Sequence, residues 1–132
     1  MDKAKITTEK FSKIISVICT RDTSADPEHW STENPMWGHC AIVSLLAQDQ
    51  FGGTLIRQSL EGVNGFDYLR SHYSNKLSDG IEYDFTLEQF QGRLPTNLPK
   101  EERPREHVLS YPDTQKRYEL LKDRFKAELL KN

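Results

Sequence analysis

Apolar residues first recur at helical spacing near the start of the chain. Phe11, Ile14, Ile15 and Ile18 share one face, and Thr7 or Thr8 can cap the helix that carries them. Residues 20–36 are rich in Ser, Thr, Asp and Pro and read as a long loop. Loops of this length in a small domain often carry function. A second helix is expected from near Gly38 to about Gln50. Cys40, Ala41, Val43, Leu45, Leu46 and Ala47 cover most of its circumference with apolar groups, so it should be buried on more than one side. Gly52-Gly53 ends it.

The pattern then changes. Residues 54–60 (TLIRQSL) read as a strand and 61–68 as a connection. Residues 71–77 and 81–86 read as two strands joined at Ser78-Asp79-Gly80, since Asp-Gly between two such runs is a hairpin signal. Thr86 followed by Gln89 fits a capping box, which predicts a short helix there. Residues 91–104 carry three prolines and read as loop. Pro112 suits the first turn of a helix running to Leu130, with Tyr118, Leu121, Phe125 and Leu129 as its buried stripe and its many charged residues as a solvated face. The resulting layout is α+β: a buried helix bearing Cys40, packed on a small antiparallel sheet, with helices at both termini.

Composition narrows this picture. At 132 residues, without repeats, the chain is expected to form one domain, residues 1–132, large enough to bury a core. A formal net charge of −2 argues against a nucleic-acid or anionic-membrane surface. No run is long enough to span a bilayer, and the polar start MDKAKITTEKF lacks a signal-peptide apolar stretch, so the cytoplasm is the expected compartment. Cys19 and Cys40 do not make a disulfide framework.

The candidate chemistry centres on Cys40. A helix N-terminus offers free backbone N–H groups and positive dipole potential, which favour a thiolate and can also hold an oxyanion. His72, on an internal strand, is the candidate general base, and Asp84 the carboxylate that orients it. Their meeting depends on register. With a three-residue loop, 78–80, and Gly80 left-handed, Ser74 faces Asp84 and His72 faces Thr86. His72 and Asp84 are then diagonal neighbours on one face, roughly 7–8 Å apart at the backbone. With a two-residue loop the register slips by one and the pair points to opposite faces. Asn34 is a candidate oxyanion donor, and His39 a candidate donor or tuner of the thiol. Trp30 and Trp37 either wall a cleft or anchor the loop. Each residue also has an ordinary role open to it: a packed thiol, a hydrogen-bonded strand histidine, a turn aspartate, an Asn-Pro turn. Metal binding by His39, Cys40, His72 and Asp84 is not expected, because no CxxC or HxxxH is present and adjacent helical residues diverge by about 100°. No cofactor is expected.

Three blocks, NPMWGHCAIVSLLAQDQFGG, SHYSNKLSDGIEYDFTLEQF and a Tyr-Pro-Asp-Thr helix start followed by RYELL, resemble the YunG-like family of uncharacterised bacterial proteins over roughly residues 30–125. The chain departs from that family at His39, where Gln is usual, and at Ser74, where a bulky aromatic is usual; the smaller side chain opens space beside His72. More distantly, the order of helical Cys, strand His and strand Asp resembles papain-fold amidohydrolases of the protein-glutaminase and papain-fold toxin type. That resemblance implies a papain-like core with Cys40 as nucleophile, His72 as base and acid, and Asp84 as orienting carboxylate. It implies a cysteine-dependent amide hydrolase, acyltransferase or deamidase acting through a thioester on a small amide or a protein side chain. The alternative is a non-catalytic papain-fold binding or interaction module, which would tolerate Cys40→Ser.

Overall fold

The hydroxyl of Thr7 accepts the Lys10 N–H at 3.0 Å and starts α1 (Thr8–Ile18), whose Phe11, Ile14, Ile15 and Ile18 all turn inward. The computed structural model describes residues 6–131. α2 (Cys40–Phe51) follows the long loop, beginning two residues later than its sequence pattern predicts. Ile42 through Ala47 are consecutively buried. The reason is placement: α2 packs on β1 (Thr54–Ser59) and β2 (Ser71–Lys76) on one side and on α4 (Pro112–Leu130) on another, while α1 also packs against α4. Through Ile42–Ala47 no face of α2 is left to solvent, and the polar residues Gln48, Asp49 and Gln50 are confined to its last turn; truncating one of its buried leucines to alanine would cost about 2–5 kcal/mol.

α2 stops at Gly52 and Gly53, both with positive φ. A Cβ at Gly53 would lie 2.0 Å from the Lys76 carbonyl oxygen, so glycine alone allows the chain to turn there into β1.

With β3 (Glu82–Tyr83) and β4 (Glu101–Arg103), the sheet has the order β3-β2-β1-β4, every neighbouring pair antiparallel. Asn75 faces Tyr83 and Lys76 faces Glu82. The Leu77 N–H donates to the Ile81 carbonyl at 3.0 Å, and Gly80 has a φ of 83°. The loop is therefore the three-residue one, in the register that puts His72 and Asp84 on one face.

Three local expectations are corrected. The second hairpin strand forms ladder pairs only at Glu82–Tyr83, because the chain turns away at Asp84. The stretch 91–104, read as loop, contributes the edge strand β4, which has no alternation of its own and owes its form to pairing with Leu55–Arg57 of β1. A five-residue helix α3 (Arg105–Leu109) follows it. The short helix expected after Thr86 forms as a 3-10 turn, Leu87–Phe90, but without the capping box: Gln89 Nε2 donates to Thr86 Oγ1 at 3.0 Å instead.

The main core gathers α1, α2, α4 and the inner faces of β1 and β2. A smaller cluster of Trp37, Leu60, Val63, Phe66 and Phe90 lies under the loops. Among the described residues no helix is long and apolar enough to cross a membrane.

Candidate active site

Cys40 is the first residue of α2 and is half-buried. No side chain caps the first turn of α2, so its leading amides are not taken up by a cap. Across from it, β2 carries His72, fully buried. The link between the two elements is fixed one turn further on, where Asn75 Nδ2 donates to the Ser44 carbonyl at 2.9 Å. The Cys40 sulfur lies 3.8 Å from the carbonyl oxygen of Ser71, the residue before His72.

His72 Nε2 and Asp84 Oδ2 are 2.6 Å apart. Asp84 Oδ1 accepts the Thr86 N–H at 3.3 Å, which holds the carboxylate in place. Phe90 meets the imidazole edge to face at 4.8 Å and shields it from water. The second ring nitrogen, Nδ1, is buried without a well-aligned hydrogen-bond partner among the described residues. Burial pushes His72 toward its neutral form; the Asp84 hydrogen bond, and after it Cys40, outweigh burial and raise its pKa to about 9.

Cys40 opens onto a cleft of about 600 Å³ whose walls include Ser71, Gln89 and Phe90. The other sequence candidates lie elsewhere in the architecture. His39 is fully buried, with Nδ1 3.0 Å from the Trp37 carbonyl and Nε2 2.7 Å from Thr23 Oγ1, so neither nitrogen is free to bind a substrate. Burial above all lowers its pKa to about 4, against the opposing hydrogen bond to the Trp37 carbonyl. Asn34 Nδ2 donates to the Gln89 carbonyl at 3.0 Å, and Asn34 is not on the cleft wall. Its amide ties the loop to the turn after β3, which corrects the expectation of an oxyanion donor. Trp30 Nε1 donates to the Pro35 carbonyl and Trp37 Nε1 to Asp26 Oδ2, both at 2.9 Å. Both indoles pack in or against the smaller cluster, and neither is on the cleft wall: they anchor the loop. Cys19 is buried and burial pushes its thiol up. Among the described residues no group of three or more His, Cys, Asp and Glu side chains is arranged to hold a metal ion.

Sequence reasoning missed Gln89 as a cleft residue. Its Oε1 accepts the Gly38 N–H at 3.1 Å and steadies the backbone just before Cys40. Gly38 has a φ of 77°, and a Cβ there would meet Ser24 Oγ at 2.3 Å, so the approach to α2 is held closely on both sides. Arg57 was also missed; a charged residue within the strand TLIRQSL was the available signal.

The YunG protein family matches residues 7–130 of the chain. A curated relative, Uncharacterized protein YunG of Bacillus subtilis (strain 168), is 35% identical over 65 residues, which cover 49% of this chain and 50% of the relative. The chain thus spans about half the length of the curated relative it matches. No solved structure matches it.

Proposed function

The chain belongs to the YunG family, and we propose that it is a cysteine-dependent enzyme, an amide hydrolase, acyltransferase or deamidase of papain-like arrangement that works through a thioester at Cys40. The observation that carries this reading is the buried imidazole of His72, bonded through Nε2 to Asp84 at 2.6 Å, on the strand whose preceding residue, Ser71, has its carbonyl 3.8 Å from the Cys40 sulfur. An imidazole raised to about 9 is protonated at neutral pH, which suits it to stabilise a neighbouring thiolate.

The steps follow. The Cys40 thiolate adds to an amide carbonyl, and the first-turn amides of α2 hold the oxyanion that forms. As the C–N bond breaks, the proton on His72 goes to the leaving nitrogen, giving an amine or ammonia and a thioester at Cys40. His72, now neutral, takes a proton from water or another acceptor, which attacks the thioester and releases the thiolate. Asp84 holds the ring in one orientation throughout. A small amide or an exposed protein side chain is the substrate class, and the cytoplasm the compartment.

The test is the rate of Cys40 alkylation by iodoacetamide, followed by mass mapping so that Cys19 is read separately, in wild type and His72→Ala. An ordinary thiol is almost wholly protonated near pH 6, so the wild-type chain should react roughly a hundredfold faster there than the variant. Equal, slow rates would make Cys40 a packed thiol and favour the non-catalytic binding module.

A further inference from the structure

The formal charge of the chain is −2, yet the cleft over Cys40 is strongly cationic. Arg57, Arg70, Arg103 and Arg117 all reach its wall, and Asp113 is the single acidic side chain among the described residues that line it. The pairing of these groups leaves charge unspent. Arg117 is fully engaged: it bonds Asp113 at 2.8 Å, the Thr23 carbonyl at 3.1 Å and Thr114 Oγ1 at 3.5 Å. Arg57 and Arg103 share one carboxylate oxygen, Glu101 Oε1, at 3.1 Å and 2.6 Å. Arg70 has no ion pair or side-chain hydrogen bond among the described residues. Two guanidiniums on one carboxylate, a third paired with Asp113 and a fourth unpaired leave positive charge in excess by two.

The position of this charge relative to the thiol is fixed. Arg57 Nε donates at 3.0 Å to the hydroxyl of Ser71, whose carbonyl faces the Cys40 sulfur. Arg70 immediately precedes Ser71 and has a φ of 69° and a ψ of −48°. Such a conformation costs a non-glycine residue stability, and residues held this way cluster at ligand sites. The turn is locked by the Leu60 N–H, which donates to the Arg70 carbonyl at 2.9 Å. Apolar side chains, Leu69, Phe90 and Val108 among them, complete the wall, and a volume of about 600 Å³ suits a small ligand.

We infer, resting on Cys40 as the nucleophile, that the scissile amide belongs to a substrate with an anionic group, a carboxylate or a phosphate, bound by Arg70 with help from Arg57 and Arg103. A cleft of one charge sign concentrates ligands of the other sign, and guanidinium geometry matches both oxyanions.

Paired alkylating agents test this. Cys40 is treated with iodoacetate and with iodoacetamide, and the ratio of the two rates is compared with that of a free-cysteine peptide. The wild-type ratio should exceed the peptide's by roughly tenfold. It should persist in Arg70→Lys, collapse toward the peptide value in Arg70→Gln, and fall with added salt. A wild-type ratio no higher than the peptide's overturns the inference; if iodoacetamide labelling still depends on His72, the enzyme reading survives that failure. A second measurement needs no reactive thiol: titration calorimetry of the Cys40→Ser chain with succinate and with inorganic phosphate. Saturable binding that weakens in Arg70→Gln supports the inference. Succinate alone identifies the carboxylate, phosphate alone the phosphate, and heat from neither overturns it.

Discussion

His39 and His72 are both fully buried, and both belong to the surroundings of Cys40, one as its neighbour in the chain and the other across the sheet-helix contact. They nevertheless differ in charge at neutral pH, one neutral and the other protonated. His39 meets only neutral partners, the Trp37 carbonyl and the Thr23 hydroxyl, and with burial dominating its pKa falls to about 4. His72 meets the Asp84 carboxylate and Cys40, and although burial is again the largest single influence, the partners together reverse it and the pKa rises to about 9. Burial therefore does not decide the charge of an imidazole; the nature of its hydrogen-bond partner does. The same fold holds one buried histidine neutral and the other protonated.

The sharpest way to break this contrast is Asp84→Asn. The His72 pKa lies above the unfolded value of 6.5, so the stabilisation it reports is complete below about pH 6.5 and is lost as the pH rises through about 9. Removing the carboxylate should cost about 3 kcal/mol near pH 6, an order-of-magnitude figure, and much less above pH 9. Urea denaturation of both chains at the two pH values checks this. A cost that does not change with pH would mean that the Asp84 hydrogen bond is not coupled to the imidazole proton.

The next test reverses the sign. His39 has its pKa below the unfolded value, so its contribution is present above about pH 6.5 and lost as the pH falls through about 4. Wild type should lose roughly 2–3 kcal/mol more than His39→Gln between those limits. The same urea series, run downward in pH, reads the difference; parallel curves for the two chains would show that His39 is not held neutral.

The smallest effect is expected for Thr23→Val, which keeps the shape of the side chain and removes the hydroxyl that bonds His39 and the Thr20 backbone. It should cost about 1–2 kcal/mol of stability at neutral pH. Because His39 lies outside the Cys40–His72–Asp84 line, iodoacetamide labelling of Cys40 should stay within about twofold of wild type near pH 6. A large fall in labelling would tie the loop to the thiol and blur the distinction between the two histidines.

Much of the candidate site could be read from the sequence because its signals are local. Gly52-Gly53 ends α2, and an apolar run with no polar face announces a helix buried on both sides. The Ser78-Asp79-Gly80 turn carries the hairpin register, and through register the shared face of His72 and Asp84, since the side-chain period of a strand is fixed. Tertiary structure decided the rest. His39 was bound to a threonine 16 residues away and Asn34 to a carbonyl 55 residues away, partners that no short motif encodes. β4 became a strand only because the edge of β1 offered it hydrogen bonds, and in doing so it carried Arg103 to the cleft beside Arg57 and Arg70. The sequence by itself determined α1, α2, β1, β2 and α4 and how the hairpin is set, because backbone sterics and hydrophobic period act over a few residues. Which polar groups are spent on holding loops and which remain free around Cys40 depended on pairings between distant segments, and those exist only once the chain has closed on itself.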